Sequence, residues 1–186
     1  TLLVADAGLV QAGYVAAAVR ALESAGITAI PFHDFGQNPD SAMVEAGRAF
    51  AAPLGIDSVV GLGGGSSLDC AKGINFLLTS GGTMADYRGY GKAKTPLLPM
   101  IAVPTTAGTG AEVTRNAVLL AEEEGVKVSL RSPRMLAAVA ILDPLLTHSL
   151  PPAATASTGL DALTQCLEPF VTPYATPFTD ALAREG

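Results

Sequence analysis

The residues of this chain that could do chemistry fall into a few short stretches. The most informative is Gly63-Gly64-Gly65-Ser66-Ser67-Leu68-Asp69-Cys70-Ala71-Lys72. It lies between an apolar run, Ser58 to Leu62, and a helical pattern, Ala71 to Leu78. Consecutive glycines at such a junction let the backbone approach a ligand closely. The helix start presents unpaired N–H groups and a partial positive charge, which suit a phosphate. Gly64, Gly65 and Ser66 therefore read as a pyrophosphate cradle. Ser66 with Asp69 three residues later fits a capping box, which expects Asp69 in the first turn of the helix. Two better-known phosphate loops are excluded. Lys72 comes too late for a Walker loop, and a G-x-G-x-x-G run from Gly61 meets Ser66 where its third glycine belongs.

The other candidates come after further apolar runs. Asp6 closes the first, Asn38-Pro39 comes after the second, and Pro104-Thr105-Thr106-Ala107-Gly108-Thr109-Gly110 comes after the fourth. The last stretch offers the hydroxyls of Thr105, Thr106 and Thr109 on a loop of small residues. Asp161 and Gln165 are four apart and share a helix face. Thr158 with Asp161 also spells a capping box, a purely structural alternative.

These residues need elements to position them, and the chain supplies an alternation. Leu2 to Ala5 reads as a strand, Leu9 to Ser24 as a helix stopped by Gly26, and Ile27 to Phe32 as a second strand. Asp40 can cap a helix to about Ala52. Asp57 to Leu62 is a third strand, followed by the glycine loop and its helix, which Ser80-Gly81-Gly82 ends. Tyr87 to Lys92 reads as a surface excursion, and Leu98 to Val103 as a fourth strand. Val113 to Ala121 and Val126 to Leu130 flank Glu122-Glu123-Glu124-Gly125 as a hairpin with a charged turn. Ala138 to Leu142 is a further strand, closed by Asp143-Pro144. From Pro151 the pattern is helical: Ala153 to Thr172, with irregularity expected at Gly159, then a helix from Thr176-Pro177. The class is α/β: a Rossmann-like parallel sheet with helices on both faces and a β-hairpin insertion, followed by the start of an all-helical domain. Residues 1–150 form the α/β domain and 151–186 the first helices of the second. Asp6, Asn38, the glycine loop and Thr105-Thr106 each come after a strand, as one shared site beyond the carboxyl ends of a sheet requires.

Composition narrows the classes. With 186 residues, 49% of them hydrophobic, the chain can build one sizeable core, or one domain plus the start of another. A net charge of −6 without a Lys/Arg cluster argues against nucleic acid and anionic membranes as partners. Cys70 and Cys166 have no metal or redox spacing and read as buried thiols of a cytoplasmic protein. No apolar run reaches transmembrane length. The chain opens without Met, directly on a strand, and stops within a helical pattern, so both ends read as cut.

At its motifs the chain resembles the iron-containing (group III) alcohol dehydrogenase family. The resemblance rests on Gly63-Gly64-Gly65-Ser66 with Asp69 and Lys72, and on Pro104 to Thr114. It also rests on Asp143-Pro144 before Leu150-Pro151, on Thr158-Gly159-Leu160-Asp161-Ala162-Leu163-Thr164 with Glu168, and on Thr179-Asp180-Ala181-Leu182. It implies a metal- and NAD-dependent alcohol dehydrogenase or aldehyde reductase, moving hydride between nicotinamide and a small alcohol or aldehyde. It implies Asp6 at the adenosine ribose, Asn38 near the cofactor, Thr105, Thr106 and Thr109 lining it, and Lys127 approaching it. An acid at Asp6 favours NAD over NADP, because a carboxylate accepts from the ribose 2′-hydroxyl and repels a 2′-phosphate. Asp161 and Gln165 would be the first two ligands of a divalent metal, Fe or Zn. Gln165 departs from the usual His, and an amide oxygen is a poorer ligand for iron or zinc than imidazole. The other two family ligands are histidines that neither His33 nor His148 matches. No catalytic acid or base is singled out.

The resemblance further implies that this chain supplies the nucleotide-binding domain and the opening of a helical one. The isolated chain would then be inactive and the full-length protein a homo-oligomer. Two alternatives stand beside it: a metal-independent reductase of the maleylacetate reductase type, motivated by Gln165, and a non-catalytic nucleotide-binding fragment.

Overall fold

Successive residues of the first strand, β1 (Leu2–Val4), face different cores. Leu2 and Val4 pack with Val59, Leu68 and Ile74, whereas Leu3 packs with Val15, Val60 and Leu62. Side chains alternate along a strand, so a strand buried throughout must be covered on both faces. In the computed structural model, which describes residues 1–122 and 124–186, helices provide both covers. Helices α1 (Ala7–Gln11) and α2 (Tyr14–Ser24) supply Leu9, Val15, Ala18, Val19 and Leu22 to one side. Helices α3 (Ser41–Ala51) and α4 (Gly65–Ser80) supply Val44, Leu68, Ile74 and Leu77 to the other.

The sheet has five parallel strands in the order β2-β1-β3-β5-β8. Here β2 is Ile30–Phe32, β3 Val59–Gly63, β5 Met100–Pro104 and β8 Val139–Ala140. From β1 the chain first builds outward to β2, then returns to build β3, β5 and β8 on the other side. The order therefore reverses between β1 and β3, where doubly wound sheets open a crevice at their carboxyl ends.

A second sheet carries the expected hairpin, β6 (Asn116–Ala121) antiparallel to β7 (Val126–Arg131); Glu123 of its charged turn lies outside the described residues. The expected surface excursion is partly structured. After the short helix α5 (Met84–Tyr87), Gly89–Tyr90 form β4, which pairs with β7. Tyr87 packs edge-on against Phe76 with ring centroids 4.7 Å apart.

Several expected elements differ. The helix expected from Leu9 to Ser24 is two helices, broken where Gly13 takes a left-handed φ of 82°. The apolar spacing runs on across the break. The last strand contracts to Val139–Ala140. The capping box of Ser66 with Asp69 does not form, because α4 already begins at Gly65 with Gly64 as N-cap.

By its contacts the chain divides into two compact units: Thr1–Pro104 with Ala111–Leu142, and Thr105–Gly110 with Asp143–Gly186. The second contains α6 (Pro152–Val171) and α7 (Pro177–Glu185). Helix α6 runs through Gly159 without the expected irregularity. Thr158 lies inside it and donates to Ala154 O at 3.0 Å, so no capping box with Asp161 exists. The loop Thr105–Gly110 is fitted to this helix: a Cβ on Gly108 would come within 2.4 Å of Thr158 O.

Candidate functional site

The crevice between β1 and β3 is built from the segments that leave the carboxyl ends of the strands. Gly63 ends β3 with φ 141°, and a Cβ there would fall 2.4 Å from Ser67 Oγ. Only glycine suits both the dihedral and the space. Helix α4 then starts with no side chain capping it. Its neighbours differ: Asp6 caps α1 by accepting from Leu9 N at 3.1 Å, and Asp40 caps α3 by accepting from Met43 N at 2.8 Å. The first N–H groups of any helix lack intrahelical partners. On α4 these donors are left to whatever enters the crevice, and the helix dipole favours an anion there.

Three segments meet around this helix start. Asp6 lies just after β1, and its Oδ2 accepts from Ser67 Oγ at 3.0 Å. Asn38 lies after β2 in a left-handed conformation, φ 52°, and its N–H donates to Ser66 Oγ at 3.2 Å. Asp6, Asn38, Gly64, Gly65 and Ser66 are thus brought together at the ends of β1, β2 and β3.

One turn into α4 the polar residues reach a different partner. Asp69 Oδ2 accepts from Val118 N on β6 at 3.1 Å. Burial pushes its carboxyl up to about 6, against the opposing pull of that hydrogen bond and of Lys72 and Lys127. Lys127 is exposed on β7, as the hairpin reading placed it. Lys72 is 1% exposed. Its ammonium donates to Ala111 O (2.5 Å), Thr114 O (2.8 Å), Thr114 Oγ1 (3.1 Å) and Asn116 O (3.1 Å). Burial lowers its pKa, and Asp69 and Glu112 oppose that shift. Sequence reasoning missed this lysine as a clamp on the segment before the hairpin. The available signal was a single cation in a stretch, Cys70 to Leu78, whose only other strongly polar residue is Asn75. Cys70 is buried, which pushes its thiol pKa up, whereas Cys166 is only half-buried, not fully buried as expected.

The remaining candidates belong to the second unit. Thr105 is buried, and Thr106 Oγ1 is buried with no hydrogen-bond partner among the described residues. Thr109 lies on the same loop. Asp161 and Gln165 do share a face of α6, and they are joined: the Gln165 amide donates to Asp161 Oδ2 at 2.9 Å and to Gly108 O at 3.0 Å. Both neighbours are acceptors, so the amide must present its NH2 to them. In this arrangement the Gln165 amide occupies one oxygen of Asp161 and turns its N–H groups, not its carbonyl oxygen, toward that carboxylate. Among the described residues no three His, Cys, Asp or Glu side chains are grouped to hold one. His33 and His148 are exposed.

A parallel sheet with an uncapped helix at its reversal point defines an α/β protein of the doubly wound kind. The particular kind is settled by comparison: the chain belongs to the iron-containing alcohol dehydrogenase family, whose model matches residues 1–144. It is 40% identical over 183 residues to alcohol dehydrogenase 4 of Schizosaccharomyces pombe, covering 98% of this chain and 43% of that protein. A solved 1,3-propanediol oxidoreductase superposes with a TM-score of 0.93 at 43% identity, covering 98% of this chain and 48% of the other. A sulfoacetaldehyde reductase from Bifidobacterium kashiwanohense, solved in complex with NAD+, gives 0.87 at 36% identity, with 98% and 48% covered. The chain thus spans about half the length of the relatives it matches. No helix among its described residues is long and apolar enough to cross a membrane.

Proposed function

We propose that the chain carries the NAD-binding part of an alcohol dehydrogenase or aldehyde reductase acting on small alcohols and aldehydes. In this reading residues 1–150 are the NAD-binding domain and 151–186 the opening of a helical one. The observation that carries it is the uncapped start of α4 at the sheet's reversal point, with a carboxylate, Asp6, beside it. Gly64, Gly65 and Ser66 hold the pyrophosphate. Asp6 accepts from the ribose 2′-hydroxyl and disfavours a 2′-phosphate. Asn38, Asp69 and Lys127 complete the binding face, and Thr105, Thr106 and Thr109 line the cofactor. The orphan hydroxyl of Thr106 supports a ligand there, since buried hydroxyls are otherwise paired. When bound, the nicotinamide supplies the hydride chemistry; the protein's part is to bind, orient and keep water away. In this reading the whole protein is a cytoplasmic homo-oligomer. A net charge of −6 supports the absence of nucleic acid and anionic membrane from its partners.

The test is a titration of the full-length protein with NADH and NADPH, beside Asp6→Gly. NADH should bind the more tightly, and Asp6→Gly should erase most of the preference. Binding of neither dinucleotide would overturn the reading.

A second reading is favoured by one observation, the hydrogen bond that the Gln165 amide donates to Asp161 Oδ2. It is a reductase that needs no metal, of the maleylacetate reductase type. Full activity after exhaustive chelation would support it. Loss of activity restored by Fe or Zn would instead return Asp161 and Gln165 to the role of ligands.

A further inference from the structure

Ser67 is fully buried, yet it is not needed to end or cap a helix. Buried hydroxyls need a partner, and within a helix the nearest is the carbonyl one turn back. Other hydroxyls of this chain take that option: Thr79 donates to Asn75 O, Thr158 to Ala154 O and Thr164 to Leu160 O. Ser67 does not. Its Oγ donates across the crevice to Asp6 Oδ2, 61 positions away in sequence, at 3.0 Å. The room for it is made by Gly63, where any Cβ would overlap Ser67 Oγ at 2.4 Å and Ser67 Cβ at 2.7 Å. The other oxygen of Asp6 is held by Leu9 N at 3.1 Å. Two donors on two oxygens fix both the position and the plane of a carboxylate, and a donor to an ionised acceptor makes the stronger kind of hydrogen bond.

We propose that Ser67 is a positioning residue for cofactor choice: its buried hydroxyl holds Asp6 in the orientation that distinguishes NADH from NADPH. This rests on the ribose role of Asp6 proposed above. Ser67 touches no cofactor atom itself and acts only through that carboxylate. Without it, Asp6 keeps its charge and its helix cap but can swing about the single bond to Leu9 N. It then contributes less to the 2′-hydroxyl and stands less squarely against a 2′-phosphate.

The experiment is a double-mutant cycle in the full-length protein, with Kd for NADH and NADPH measured by fluorescence titration. The proteins are the parent, Ser67→Ala, Asp6→Gly and the pair combined. Ser67→Cys is added as a variant of similar size with a weak donor. Asp6→Gly should collapse the NADPH/NADH ratio of Kd values. Ser67→Ala should reduce that ratio about fivefold, the equivalent of one hydrogen bond. Ser67→Cys should fall between Ser67→Ala and the parent. In the Asp6→Gly background, Ser67→Ala should leave the ratio unchanged. Three results would overturn the proposal: a ratio unaffected by Ser67→Ala while Asp6→Gly collapses it, equal weakening of both cofactors, or the same shift in both backgrounds. If Asp6→Gly itself leaves the ratio alone, the ribose role of Asp6 fails, and this proposal falls with it.

Discussion

Helices α4 and α6 are the long helices of their two units, and the buried polar groups of the one and the exposed hydroxyls of the other behave in opposite ways. Helix α4 buries ten of its sixteen residues, and α6 buries none of its twenty. Inside, α4 sends its polar groups to distant segments: Ser67 to Asp6, Asp69 to Val118, Lys72 to Ala111, Thr114 and Asn116, Asn75 to Leu98. Asn75 even makes a two-way pair, donating to Leu98 O at 2.9 Å and accepting from Leu98 N at 3.0 Å. On α6, Ser157, Thr158 and Thr164 return their hydroxyls to their own helix. A buried polar group has no water to fall back on, so each such residue specifies one register of α4 against its surroundings. An exposed one specifies almost nothing about packing and is left available for other duties.

Lys72→Met should mark the contrast most sharply. It takes a charged donor away from the carbonyls of Ala111, Thr114 and Asn116 and should cost about 4 kcal/mol in urea unfolding. Gln165→Ala on exposed α6 should stay within about 0.5 kcal/mol. Similar costs for the two would dissolve the distinction. Gly47→Ala comes next. Its Cβ would lie 2.3 Å from Ile74 Cδ1 and 2.9 Å from Phe32 Cε1, where α3 meets α4. Overpacking of that kind should lower stability by about 2 kcal/mol; an unchanged unfolding midpoint would mean that α4 sits more loosely than described.

Asp69 offers a test by pH. Its carboxyl titrates at about 6 in the folded chain and near its ordinary value of 3.8 when unfolded. Between those values the folded state keeps a proton that the unfolded state has released. Stability from this residue is therefore lost as pH rises from about 4 to about 6, and stays low above. Asp69→Asn should remove that loss and gain about 2 kcal/mol on the parent between pH 4 and pH 7. A constant difference across that range would show that Asp69 is not desolvated. The smallest effect has the opposite sign to the first. Gly159→Ala meets nothing within 4 Å of its Cβ, so it should stabilise α6 by up to about 1 kcal/mol. A loss in thermal melts would show that α6 is more tightly covered than its exposure implies.

The same division explains what could be read in advance. The alternation of strands and helices was legible because burial on both faces leaves apolar runs at β1 and β3. Asp40 was legible as a cap because its bond to Met43 N is local. The glycine run was legible as the turn into α4, since Gly63 needs a dihedral that other residues avoid. Asp69 was misread as half of a capping box because its actual donor, Val118 N, is 49 positions away. Lys72 was legible only as a member of the glycine-loop motif until its four acceptors were assembled around it by the fold. Gly13 broke a helix whose apolar spacing continues on both sides, leaving periodicity nothing to report. Local signals carried the architecture, and the long-range bonds that shape the candidate site had no local signature.

The grouping of Thr105–Gly110 with Asp143–Gly186 bears on how this family could be recombined. The loop lies between β5 and Ala111 in the chain, yet Gly108 accepts from Gln165 and has no room for a side chain beside Thr158. A chimera spliced once, near Leu142, would set a loop from one parent against helices from another. Its partner positions at 158 and 165 would then be drawn from a different lineage than the glycine fitted to them. Exchange that respects the contacts needs three crossovers, carrying 105–110 together with everything after 142. The inheritable block is a discontinuous one, and libraries of hybrids cut at a single seam should be poorest in folded members where the residues at 108 and 158 come from parents that differ there.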